Sequence, residues 1–378
     1  MRGVVPYWIL VFSIGFGWFI LAPLVPVVTS TFKVSVSMVV LLISAYGYAM
    51  AILGLLAGLL SAKFSVRVSL LASSILTSVG LLGRALSTSF AEFLAFSLLG
   101  AIAYPLAVAP LGSLAEAYLK RRVQTFSGIT VGLLFLGMSF GSLMGSAIFS
   151  LFGLRGTLLI PSALAFVALA LTAIVKDFPK SFSRSLKGVF KPGMVKNWYV
   201  GLAISSTSVL FGSIASTVLE LQRLPQAVAV SLGGILGGLG FLGSAMGAIL
   251  LSAAFEEFNR KVGLILTSFL SMVSSFAVAL GLPLTGSFLF LAVAYFAYGF
   301  FGNAYWSMAL ASVTSYASTP EEKGLATSMY SVVSNVGVAV LPVYLGSLYS
   351  SYATLDYGAG AIMAINFLAF LMALLMKS

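Results

Sequence analysis

The chain has 378 residues, 60% of them hydrophobic and 8% charged, and a mean hydropathy of +1.11. Its 20 Lys and Arg and 9 Asp and Glu could not cover a water-soluble particle of this size, so an ordinary soluble domain is excluded and much of the surface is assigned to a lipid bilayer. His and Cys are absent, which removes zinc sites, Cys or Ser-His nucleophiles, an imidazole switch and disulfides. The net charge of +11 does not indicate nucleic acid, because the cations punctuate apolar runs instead of clustering with aromatics on a wet face.

About 20 apolar residues carry a helix across a hydrocarbon core about 30 Å thick, and long unbroken runs select helices over a closed barrel. In chain order the runs are 6–28, 37–60, 67–86, 92–117, 124–150 and 155–175, then 198–221, 226–254, 261–282, 287–316, 325–349 and 357–376. The expectation is an all-α integral membrane protein of twelve transmembrane helices. The first run is too long for a signal-peptide core and has no evident cleavage site, so it is read as a retained helix.

With a cytoplasmic N-terminus, sixteen cations fall inside and only Lys33, Arg84, Arg155 and Arg223 outside. That asymmetry is what the positive-inside rule predicts, and both termini become cytoplasmic. The longest polar connection, Lys176 to Asn197, holds six basic residues against Asp177. It divides the chain into an N-terminal six-helix bundle at 1–176, a basic cytoplasmic linker at 177–197 and a C-terminal six-helix bundle at 198–378. Most simply it is a solvated linker that sets orientation; binding of anionic lipid headgroups is the alternative.

The halves repeat in outline. GLLSAKFSVRVSLL, Gly58 to Leu71, returns as LLSAAFEEFNRKVGLIL, Leu250 to Leu266, and Gly137 and Gly337 lie 200 residues apart. Parallel repeats about an axis along the membrane normal are a transporter architecture with its site between the halves. The first of these loops resembles the signature of the major facilitator superfamily: Lys63 and Arg67 match its cations, while its Asp and second Gly are missing. In the second copy Glu256 takes the acidic place, Asn259 the Gly place and Arg260 the basic one. The fifth helix carries Gly132, Gly141 and Gly145, similar to the antiporter motif of that family, with Ser146 where the motif has Pro. Phe96 stands where proton-driven exporters commonly carry Arg.

The resemblance covers essentially the whole chain. It implies a permease working by alternating access in the cell membrane, with a small-molecule substrate, no cofactor and a monomeric state. It further implies a cytoplasmic gate of Lys63, Arg67, Glu116, Glu256 and Arg260. For Lys63 and Arg67, plain topology marking competes with an ionic latch to Glu116, and Glu116 also stands four residues before Lys120 in the order of a local helix pair. Helices five and eight would meet across the halves on glycine faces that include Gly137, Gly141, Gly145, Gly233 and Gly237.

Family cavities are lined mainly by helices one, four, seven and ten. Here their middles offer Trp18, Tyr104, Ser205 and Ser208, and a stripe of Tyr295, Tyr298, Gly302, Tyr305 and Trp306 on one helical face. Asn303 and Asn335 are amides deep in apolar runs, and Asn366 reads as an interhelical hydrogen bond. Side-chain packing is the competing role for each aromatic. No charged residue stands near the centre of a run, which favours a neutral or amphipathic organic solute. The acids flank the helices, which favours facilitated diffusion, exchange or another ion over protons; a proton-coupled drug or metabolite exporter is the alternative. A transport-inactive receptor or assembly factor is the alternative of another class. A lipid-modifying membrane enzyme would need catalytic groups that two Asp, no His and no Cys do not supply.

Overall fold

A computed structural model describes residues 4–118, 123–175, 178, 191–284, 286–316, 320–349 and 351–376. Among these the chain is helical and contains no strand. The elements are α1 (Val4–Phe19), α2 (Val25–Phe32), α3 (Val36–Lys63), α4 (Val66–Leu86), α5 (Phe90–Val108), α6 (Leu111–Tyr118) and α7 (Val123–Ile174). They continue with α8 (Val195–Leu221), α9 (Gln226–Glu257), α10 (Arg260–Leu284), α11 (Phe288–Val313), α12 (Pro320–Leu348) and α13 (Leu355–Leu375). Ten helices are long and apolar enough to cross a membrane, and α1 is a shorter apolar one.

Two runs expected to be single helices are broken. The first leaves the helix after Phe19 and resumes at Val25, with Pro23 between the two parts and Pro26 opening α2. The fourth breaks after Val108, where Pro110 has no N–H to return to the preceding turn. Most of the basic connection lies outside the described residues.

The fifth and sixth runs form one long element. A straight helix of the 52 residues of α7 would measure about 78 Å, far more than a bilayer. Gly153 interrupts it with φ 65° and ψ −176°, a backbone that glycine tolerates because it has no Cβ. Either side of that bend, Thr130 accepts a hydrogen bond from Trp8 near the start of α1, and Ala173 accepts one from Arg67 at the start of α4. The two ends of α7 therefore meet the starts of two different helices instead of lying at opposite extremes.

Buried apolar side chains form one cluster drawn from Val4 to Ala168, joined by Val209, Phe241 and Val338, and two clusters drawn from residues between Met194 and Met376. Repeated positions of the sequence take equivalent neighbours. A Cβ at Gly137 would collide with the Phe12 carbonyl of α1, and one at Gly337 would lie 2.7 Å from the Leu202 carbonyl of α8. At the helix ends Arg67 donates to the Ala173 carbonyl at 3.0 Å. Lys261 donates to Ala373, Leu374 and Met376 at 3.0, 2.9 and 2.8 Å. Each cation thus satisfies carbonyls left over at the C-terminal end of a helix, where the helix dipole favours positive charge.

Candidate functional site

At mid-length of the first run the Trp18 ring stacks on Tyr46 of α3, centroids 4.5 Å apart and planes at 10°, and lies 5.4 Å from Tyr104 of α5. The indole N–H donates to the Ile43 carbonyl at 2.7 Å, so the ring is anchored at one edge and packed on its face. Asn335 of α12 interacts with the Tyr104 hydroxyl, while its amide nitrogen donates to the Ser331 carbonyl at 2.8 Å. Residues from the two halves of the sequence thereby come together.

A second cluster forms between α8, α9 and α11. Asn303 donates to the Ser244 hydroxyl at 2.7 Å and the Ser208 hydroxyl at 3.4 Å. Tyr298 donates to the Ile204 carbonyl and Tyr295 to the Phe211 carbonyl, and Tyr298 also interacts with Thr207 and Ser208. Ser208, Ser244, Tyr295, Tyr298 and neighbouring glycines enclose a cavity of about 10 Å³, room for a single water molecule. Ser205 is half-buried on α8.

The aromatic stripe of α11 divides between neighbours. Tyr295 and Tyr298 turn to α8, whereas the Tyr305 hydroxyl donates to the Ala369 carbonyl of α13 at 2.7 Å. Trp306 packs edge-on against Tyr330 and donates to the Ser334 hydroxyl of α12 at 3.3 Å. Gly302 lies nearest Ser271 and Ile204. Asn366 makes the expected interhelical bond, to the Thr207 hydroxyl at 3.2 Å.

The glycine faces differ from the expectation. Gly137, Gly141 and Gly145 lie against α1 and the break that follows it: a Cβ at Gly141 would stand 2.7 Å from the Ile20 nitrogen, and one at Gly145 3.0 Å from Pro23. Gly233 faces Ser216 of α8. Of the five, only Gly237 meets the α7–α9 contact, where its Cβ would lie 2.9 Å from the Ser142 hydroxyl. That contact is built instead by Gly128, Gly132, Phe135, Ser139 and Ser142 against α9, with Ser139 donating to the Gly238 carbonyl at 2.8 Å and Ser142 to that of Gly234 at 3.0 Å. The reason is periodicity. Positions 128, 132, 135, 139 and 142 form one helical stripe and 137, 141 and 145 another, so the glycines of α7 serve two partners.

At the expected gate, Arg67 is committed to the end of α7, and Lys261, beside Arg260, plays the matching part at the end of α13. Arg260 is half-buried at the start of α10. The side chains of Lys63, Glu116 and Glu256 lie outside the described residues.

Sequence reasoning passed over Arg84. Counted as an outer flanking cation, it is in fact buried, at 1% exposure, and its Nη2 donates to the Gly17 carbonyl at 2.7 Å, one residue before Trp18. The signal was a polar stripe of α4, Ser69, Ser73, Thr77, Gly80 and Arg84, which falls on one helical face and is buried throughout. Tyr46 and Ser244 were also missed, the first because it belongs to a helix not expected to line the cavity.

Many apolar membrane-length helices, paired repeats and aromatic and amide side chains meeting at mid-length define a polytopic membrane carrier. Among curated proteins no match is found. The family model described as Major Facilitator Superfamily matches residues 7–221 and again 200–378. The chain belongs to that family and is a multi-pass transporter of the cell membrane.

Proposed function

We propose that the chain is a secondary carrier that moves a small organic solute by alternating access. In this reading α1 with α2 and α5 with α6 each make one crossing and α7 makes two. The total is twelve, in two halves at 1–176 and 198–378 joined by the basic segment, with both termini cytoplasmic. The solute lies between the Trp18, Tyr46, Tyr104 group and the Ser208, Tyr298, Asn303 group, and the surfaces that rock are the α7–α9 contact and the α3–α12 contact, where Gly47 and Gly54 of α3 meet Val338, Ala339 and Val332 of α12. A catalytic role has no support in the residues, and the working unit is a monomer.

One observation carries the reading. Tyr104 and Asn335, each near the middle of its apolar run and from opposite halves of the chain, interact beside a stacked indole. In this reading the interaction is made in one access state and broken in the other, so that a solute can exchange with it. The absence of charged positions near the centre of a run favours a neutral or amphipathic solute, and Arg84, in the last turn of α4, brings a buried guanidinium to the Gly17 carbonyl. The test is counterflow in proteoliposomes with a panel of labelled organic solutes. Uptake abolished by Asn335→Ala, in protein of unchanged melting temperature, is expected; no counterflow with any solute of the panel would reject the carrier reading.

A further inference from the structure

Arg84 sits in the last turn of α4, a place that serves most arginines as a route to water, yet it turns inward. Its partner, Gly17, stands where the chain leaves α1. Ile20 N bonds back to the Phe16 carbonyl and Ala22 N to that of Phe19, and Arg84 occupies the Gly17 oxygen. This capping bond uses one of the five N–H donors of the guanidinium, and the buried Nε has no partner. No acid among the described residues pairs with Arg84; Glu92, the nearest in sequence, is exposed and accepts from Thr88 and Ser89.

Arginine stays charged at any physiological pH, and a buried charge without a countercharge is costly in a membrane protein. Capping alone does not require it, because a neutral amide or hydroxyl could bond Gly17. What surrounds it suits a ligand: Arg84 bonds the carbonyl of Gly17, the residue before Trp18, Trp18 stacks on Tyr46, and Trp18 lies 5.4 Å from Tyr104.

We propose that Arg84 is the anchoring cation of the transport site and that the solute carries a single carboxylate. The flat guanidinium fork matches a carboxylate through two parallel bonds, and one unaccompanied cation suits a monoanion better than a phosphate dianion. The aromatic group then holds an apolar or aromatic body attached to that carboxylate. The proposal rests on the carrier reading for the word transport, and on Arg84 alone for the anion.

Matched acids and amides test it: benzoate against benzamide, phenylacetate against phenylacetamide, lactate against lactamide, with inorganic phosphate as a further anion. Each is added at constant ionic strength to the purified full-length chain while its melting temperature is followed. At least one carboxylate is expected to raise the melting temperature while its amide does not. Arg84→Gln should abolish the shift, and Arg84→Lys should weaken the apparent affinity at least tenfold, since an ammonium keeps the charge and loses the fork. The acid and amide comparison uses the unaltered chain, so it stands even where Arg84→Gln fails to fold, and Arg84→Lys then carries the residue assignment. The proposal is overturned if no carboxylate shifts the unaltered chain, if phosphate or the amides act equally well, or if Arg84→Lys binds as the unaltered chain does. The two readings fail differently. Amides that bind and exchange while carboxylates do neither would end the anion proposal and leave the carrier. Carboxylates that bind through Arg84 but never exchange in proteoliposomes would do the reverse.

Discussion

Buried amides of similar chemistry divide by what they touch. Asn366 donates to Thr207 and to the Ile362 carbonyl, a tie between α13 and α8 that reaches the proposed site only indirectly, through the interaction of Thr207 with Tyr298. Asn303 instead holds Ser208 and Ser244, two hydroxyls that line the small cavity beside Tyr298. Asn366→Ala should therefore lower stability by about 1 kcal/mol, the usual net value of one hydrogen bond, with uptake per folded molecule unchanged. Asn303→Ala should reduce uptake per folded molecule at least tenfold; melting curves and initial rates on the same preparations check both, and equal specific activities would remove Asn303 from the site. That Asn366 needs an interhelical partner was legible from an amide in an apolar run, although Thr207, 159 residues away, was not nameable. Arg84 was misread for a related reason: a hydropathy pattern fixes the depth of a Cα, not whether a long side chain turns out to water or in to a carbonyl. Tyr305 shares a helical face with Tyr298 but bonds α13, because a face several turns long meets different helices at different depths.

At the scale of elements the apolar runs fixed nearly every helix, and the misreadings fall where backbone chemistry competes with hydropathy, at Pro23 and Pro110. The glycines of α7 were legible as close-packing positions but not by partner, since two stripes of one helix carry the same residue type. This division gives opposed predictions. A Cβ at Gly141 would press on the Ile20 nitrogen and Phe16 carbonyl at 2.7 and 2.8 Å, backbone atoms that cannot step aside. Gly141→Ala should therefore destabilise by about 1–3 kcal/mol, the usual cost of overpacking. At Gly132 the nearest atoms are Ile249 Cγ1 and Cδ1 at 2.6 and 2.7 Å, part of a side chain that can turn away across the α7–α9 contact, while the nearest backbone atom, the Ala245 carbonyl oxygen, is at 3.2 Å. Gly132→Ala should leave the melting temperature within a few degrees and change the rate at which the access states interconvert, read from the transport rate at saturating solute. The caps at Arg67 and Lys261 act locally. Because Arg67 is only partly buried, Arg67→Gln should cost at most about 1 kcal/mol and speed amide exchange mainly in the last turn of α7.

For the molecule as a whole, the arrangement of charge sets both orientation and the energy the carrier can use. In the proposed orientation, which rests on the sixteen-to-four division of cations, Ser185 would lie inside and Ser30 outside. Because the chain has no Cys, single Ser185→Cys and Ser30→Cys variants offer clean labelling sites; labelling of Ser185→Cys from outside intact cells would overturn the arrangement. Coupling follows from where the acids are. A proton-driven carrier of this design needs a group inside the membrane that gains and loses a proton as access alternates. Glu92 is exposed and tied to Thr88 and Ser89, Glu220 is exposed at the end of α8, and Asp356 is exposed in the first turn of α13. None of these three can feel which side is open from the middle of the membrane. Among the described residues the interior instead offers hydroxyls, amides and the charged Arg84, groups that hold a solute without trading protons. We therefore expect facilitated diffusion or exchange. In proteoliposomes with the membrane potential clamped, an imposed pH gradient should drive no accumulation of solute above that in protein-free vesicles. Protein-dependent accumulation, lost in Glu116→Gln or Glu220→Gln, would instead show that a span-end acid reaches the solute pathway and that the carrier runs on protons.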